Sequence, residues 1–91
     1  MPSSEQLADL FPDRAMRMEK SGHAVMSCTV TTSGTLTACA VVSEEPAGYG
    51  FGGATLSAAR RFRMRPKTVD GRPVGGAKIT IPMTWNVPSG G

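Results

Sequence analysis

Two cysteines, one histidine and a run of arginines are the side chains of this sequence whose type and spacing bear on chemistry. Cys28 and Cys39 suit a disulfide, a pair of buried thiols or two ligands of a metal. A zinc site needs about four ligands, and His23 is the single histidine, so no metal site is read and no cofactor is expected. His23 has no serine or cysteine in a suggestive nucleophile–base arrangement, so no enzyme is expected. The glycines of residues 48–53 lack the Lys-Ser/Thr ending of a P-loop. Glu44 and Glu45 precede Pro46 and read as solvated loop charges. From residue 60 to 78 there are seven basic residues against one acid, Asp70. Such a patch meets phosphate, membrane headgroups or an acidic peptide, and its simplest reading is a solvated face. Arginines interleaved with Phe62 and Met64 also suit a nucleic-acid module. Low aromatic content and the demand of the core for Phe62 argue against it, and no nucleic acid is expected as a partner.

These side chains need a scaffold, and the apolar spacing predicts one. Residues 1–10 read as an extension with a short helix, Ser3 as its N-cap and Gln6 completing the capping-box spacing. Pro12 opens a further helix that Gly22 closes, with Phe11, Ala15 and Met18 on its apolar face. From His23 the period changes to two, and Ala24, Met26, Cys28 and Val30 form the inner face of a strand. Ser33-Gly34 is a turn, followed by a strand over residues 35–43 with Cys39 and Val41 inward. Leu36 is out of step with them, which predicts a bulge near Thr37-Ala38. With Ser33 and Gly34 as the central turn residues, Cys28 lies opposite Cys39 and Met26 opposite Val41.

A loop over residues 44–50 leads to a second long helix, whose face is Phe51, Ala54, Thr55, Ala58, Ala59 and Phe62. Residues 59–74, ARRFRMRPKTVDGRPV, then form the corner of the fold: a helix end passes into an extended exit, and Pro66 forbids further helix. Residues 69–73 make a polar turn or small hairpin. The last strand, over residues 77–87, puts Ile79, Ile81, Met83 and Trp85 on one side and Lys78, Thr80, Pro82 and Thr84 on the other. Pro82 cannot donate to a ladder, so this strand belongs at an edge or carries a bulge. Residues 88–91 read as a flexible tail. Ninety-one residues, 40% hydrophobic with a net charge of +3, make one small, mildly basic domain. No apolar run reaches the length of a membrane span, and no signal peptide is read.

The order helix, hairpin, helix, single strand, with certain words in it, resembles the C-terminal domain of TonB, the bacterial energy transducer. The words are Phe11-Pro12-Asp13-Arg14-Ala15, Ser21-Gly22-His23-Ala24-Val25, Ser33-Gly34-Thr35-Leu36, Arg61-Phe62-Arg63-Met64-Arg65-Pro66 and Asp70-Gly71-Arg72-Pro73-Val74. Their order and spacing carry the resemblance over residues 11–87, which are expected to form the domain. It implies an α+β fold: a three-stranded antiparallel sheet of order 2-1-3 with two helices on one face, as in the TonB and TolA C-terminal domains. It implies a periplasmic domain, at the end of an inner-membrane anchor absent from this sequence, that takes the TonB box of outer-membrane transporters as an added strand. The expected contacts are Asp9, Leu10 and Phe11, and on the last strand Lys78, Ile79, Thr80, Ile81, Pro82, Met83, Thr84 and Trp85. The same edge predicts a weak homodimer. In a periplasmic setting, cross-strand opposition makes a Cys28–Cys39 disulfide the expectation. A TolA-like or free-standing envelope adaptor is the alternative function. Phe62 stands where tryptophan is common in the family, and the two cysteines where apolar strand residues are usual.

Overall fold

The computed structural model describes residues 8–87. The elements are α1 (Asp13–Arg17), β1 (Gly22–Val30), β2 (Leu36–Glu45), α2 (Phe51–Ala58), a 3-10 turn (Ala59–Arg61), β3 (Lys67–Val69), β4 (Arg72–Val74) and β5 (Ala77–Trp85). Residues 8–10 are helical ahead of α1. The capping box expected at Ser3 and Gln6 and the tail at residues 88–91 lie outside the described residues.

Three antiparallel strands form the main sheet in the order β2-β1-β5, and β3 and β4 pair as a separate hairpin. The alternation read from the sequence sets the inner face of the central strand: Ala24, Met26, Cys28 and Val30 are all buried. Against it lies the predicted face of α2 and its extension, with Phe51, Ala54, Thr55, Ala58, Ala59 and Phe62 buried. Met83 and Trp85 of β5 complete the core. Each large side chain among these contributes about 1.5–3 kcal/mol by leaving water. Thr55 is the buried polar residue among the described residues, and its hydroxyl both donates and accepts. It donates to the Phe51 carbonyl at 2.8 Å and accepts from Trp85 Nε1 at 2.9 Å.

The first helix is shorter than the sequence suggests. It ends at Arg17 because Glu19 takes a left-handed conformation, φ 53°, one residue beyond the C-cap Met18. The Lys20 N–H then reaches back to the Ala15 carbonyl at 2.8 Å and the Glu19 N–H to Met16 at 3.2 Å, the bond pattern of a Schellman cap. Met18, expected on the apolar face, is 55% exposed as a result. Gly22 does not close the helix. It starts β1, and a side chain there would strike the Phe51 ring and the Glu45 carbonyl.

The turn after β1 also differs. It holds three residues, Thr32, Ser33 and Gly34, closed by Thr31 N–H to Thr35 O at 2.9 Å and Gly34 N–H to Thr31 O at 3.0 Å. Gly34 supplies the positive φ of 85° and gives the Met64 carbonyl room to approach. The pairing therefore starts as Val30↔Leu36 and reaches Met26↔Val41, the expected partner, only after a bulge. That bulge is where the misfit of Leu36 placed it: Ala38 has φ 52°. A second register shift follows between Val25↔Ser43 and Met26↔Val41. β2 then continues through Glu44 and Glu45, where the composition predicts a loop. Cys28 and Cys39 are joined in a disulfide across the first bulge, with Cα atoms 4.1 Å apart.

Candidate functional site

The edge of β5 is built by its neighbours. β1 and β5 pair over nine successive positions, from Gly22↔Trp85 to Val30↔Ala77, without a register shift. β5 is last in the sheet order, so its other side has no partner strand among the described residues. Pro82 sits in that unbroken run opposite Val25, on the edge strand its missing N–H demands. β2, at the other edge, is interrupted by two register shifts, and such bulges twist an edge away from further pairing. The sheet thus has one straight edge and one blunted edge.

Side chains of β5 alternate in burial as expected. Lys78, Thr80, Pro82 and Thr84 are exposed, Ile79 and Ile81 are half-buried, and Met83 and Trp85 are in the core. Met83 and Trp85 therefore have no exposed side chain to present at the edge. Phe11 is brought to the Trp85 end of the strand by packing edge-on against two rings, Phe51 at 6.1 Å and Trp85 at 6.0 Å. Leu10 is half-buried against the same cluster and Asp9 is exposed. The Val87 N–H donates to Ser21 Oγ at 2.8 Å and ties the exit of β5 to the start of β1.

The cations of residues 60–65 lie toward the opposite end, where Met64 is bonded to the β1–β2 turn. Phe62 turns into extended backbone, φ −82° and ψ 140°, and buries its ring, which leaves it closed to any stacking base. Arg60 and Arg61 on the 3-10 turn, Arg63 and Arg65 beyond it, Arg72 on β4 and Lys78 on β5 are all exposed. One guanidinium is fixed: Arg63 Nη1 donates to the carbonyls of Phe62 at 2.9 Å and Arg60 at 3.2 Å. Met64 between them donates to the Gly34 carbonyl at 2.8 Å and fastens this run to the β1–β2 turn.

Sequence reasoning missed two positioning contacts. Glu44 is half-buried, and its carboxylate accepts from the Gly52 N–H at 3.2 Å, satisfying a free donor in the first turn of α2. The two residues lie eight apart across a loop, a spacing no local capping pattern contains. Arg14 stacks on the Tyr49 ring with its guanidinium carbon 5.5 Å from the centroid. Among the described residues no cluster of His, Cys, Asp and Glu forms a metal site, and no helix is long and apolar enough to cross a membrane.

A family model described as the Gram-negative bacterial TonB protein C-terminal matches residues 8–87. An uncharacterized protein of Caulobacter vibrioides is 35% identical over 60 residues, which are 66% of this chain and 60% of that protein. The chain thus matches less than two thirds of the length of this relative. Two solved structures share the fold. The TonB2 protein of Vibrio anguillarum has a TM-score of 0.63 at 23% identity, covering 87% of this chain and 74% of its own. The TonB C-terminal domain of Pseudomonas aeruginosa has a TM-score of 0.69 at 19% identity, covering 87% and 78%.

Proposed function

This chain belongs to the Gram-negative bacterial TonB protein C-terminal family, and from that premise we propose that it is the periplasmic binding domain of a TonB-like energy transducer. Its task in this reading is to hold the TonB box of an outer-membrane transporter as a fourth strand on β5, while the chain is anchored in the inner membrane. The observation that carries the proposal is the contrast between the two edges: β5 is terminal and unbroken in register, and β2 is bulged twice.

Strand addition draws its affinity from main-chain hydrogen bonds, so the parity of the edge matters. Val87 turns its N–H inward to Ser21, and the odd-numbered residues of β5 share that direction. Pro82 then faces outward with Lys78, Thr80 and Thr84, where its missing donor costs the β1 ladder nothing. An incoming strand meets carbonyls at all four positions and N–H groups at three. Asp9, Leu10 and Phe11 stand near the Trp85 end, where Phe11 is seated. A single added strand buries little surface, so the isolated domain binds at micromolar affinity or weaker.

Amide-shift mapping with a transporter box peptide tests this. Shifts on residues 78–85 are the expected result. Shifts on β2 instead, or none at millimolar peptide, would refute it.

A further inference from the structure

We propose that the Cys28–Cys39 disulfide is a register lock: with the bridge closed β2 keeps its bulged pairing with β1, and with the bridge open it slides to a straight one. The pairs Val30↔Leu36 and Thr29↔Thr37 lie ahead of the first bulge. Continued without a bulge, their register sets Ala38 opposite Cys28, Ala40 opposite Met26 and Val42 opposite Ala24. Residues directly opposite share a face of the sheet. Leu36, Ala38, Ala40 and Val42 then make an apolar row on the helix-covered face, and Thr37, Cys39, Val41 and Ser43 line the other. That alternation is the pattern of an unbulged strand. The structure departs from it at Ala38, whose φ of 52° is a conformation that alanine adopts only at a cost.

Burial does not choose between the two registers. Ala40, Val41, Val42 and Ser43 are all exposed as β2 stands, Val41 by 37% and Val42 by 62%. A strand with so little apolar burial specifies its register weakly. Two contacts hold the bulged one. The first is the disulfide, because the straight register turns Cys39 to the face away from Cys28, where the sulfurs cannot meet. The second is the Glu44 carboxylate on the Gly52 N–H at 3.2 Å. In the straight register Ser43 replaces Glu45 opposite His23, a slide of two residues that breaks this bond. Against it stand a relaxed Ala38 and a Val42 withdrawn from solvent, while Leu36 keeps its place against the core. A straight β2 has an outer edge as regular as that of β5, so the state of two sulfurs sets whether the sheet has one regular edge or two.

The bridge opens by exchange with a dithiol. Its thiolate bonds to Sγ of Cys39, the half-buried partner, as the S–S bond breaks and Cys28 leaves with the electron pair and takes a proton. The second thiol then attacks the donor sulfur and releases Cys39, also protonated, and the donor is left as its own disulfide.

The test compares cross-strand nuclear Overhauser contacts of the labelled domain before and after dithiothreitol. The oxidised domain pairs Ala24 with Glu44. On reduction, contacts between Ala24 and Val42 are expected to appear, with a shift of the Gly52 amide as it loses its carboxylate. The variant Cys28→Ala, Cys39→Ser needs no reductant and should show the same contacts. Ala38→Gly, which removes the cost of the positive φ, should weaken the Ala24–Val42 contacts of the reduced domain. Ala24 paired with Glu44 alone, both in the reduced domain and in the variant without cysteines, overturns the proposal. Loss of all β1–β2 contacts on reduction overturns it as well, since the bridge is then a staple and selects no register.

Discussion

Trp85 is the residue through which the edge is joined to the core. Its indole is buried, its N–H is satisfied by Thr55 Oγ1, and its ring holds Phe11 edge-on. Thr55 is suited to this place because its hydroxyl donates to Phe51 one turn back and still has a lone pair for the indole. Thr55→Val keeps the shape and leaves the indole N–H unpaired in the core. We expect a loss of about 1–3 kcal/mol, with Thr55→Ser losing less. Denaturant melts of the two variants check it, and equal stability of Val and Thr at this position would show that the bond contributes nothing. Glu19 is the reverse case, a side chain that costs stability where it stands. Its φ of 53° is a conformation that glycine adopts without penalty. Glu19→Gly should therefore stabilise the domain by about 0.5–1 kcal/mol, read as a raised denaturant midpoint at unchanged slope.

At the scale of elements, the two edge strands differ because their sequences manage the ladder differently. β5 runs AKITIPMTW with one proline on its outward set, and β2 carries Ala38 at positive φ with a disulfide fixed across the bulge. The parity of β5 gives a paired prediction. Thr80→Pro removes a second outward donor and should leave stability within about 1 kcal/mol while weakening peptide binding. Ile81→Pro removes a donor that faces β1 and should cost about 1–3 kcal/mol from the lost ladder bond alone. Thermal melts and peptide titration of both variants decide it; the opposite order of stabilities would invert the assigned parity. The alternation that defines β5 was legible in the sequence, as were the inner face of β1, the face of α2 and the corner at Phe62, because periodic burial leaves a periodic pattern. The bulge at Ala38 was legible through the misfit of Leu36. The end of α1 was not, since a glutamate takes the place where a glycine signals a cap. The extra turn residue was hidden for a different reason: the bulge restores Met26 opposite Val41, so two departures from a simple hairpin cancel at the positions that were readable.

The described residues form a thin slab, 50 × 24 × 13 Å, with one layer of helix on a three-stranded sheet. A sheet this narrow leaves a large share of its main-chain hydrogen bonding at its two edges, and only one of them is regular. That asymmetry bears on self-association as well as on peptide binding. A second copy would meet the same straight edge, and twofold symmetry would pair β5 with β5 in an antiparallel, self-complementary contact. The continuous order is then β2-β1-β5-β5-β1-β2, with bulged strands at both new edges, which stops growth at the dimer. In the proposed binding mode, peptide and second copy would compete for the same donors and acceptors, which links the two equilibria. We expect a weak dimer at high protein concentration that dissociates as box peptide is added, followed by sedimentation velocity or by NMR diffusion. Thr80→Pro should weaken dimer and peptide complex together, because both draw on the outward N–H groups of Lys78, Thr80 and Thr84. A dimer that persists at saturating peptide, or that Thr80→Pro leaves intact, would place self-association on another face and separate it from the strand-accepting edge.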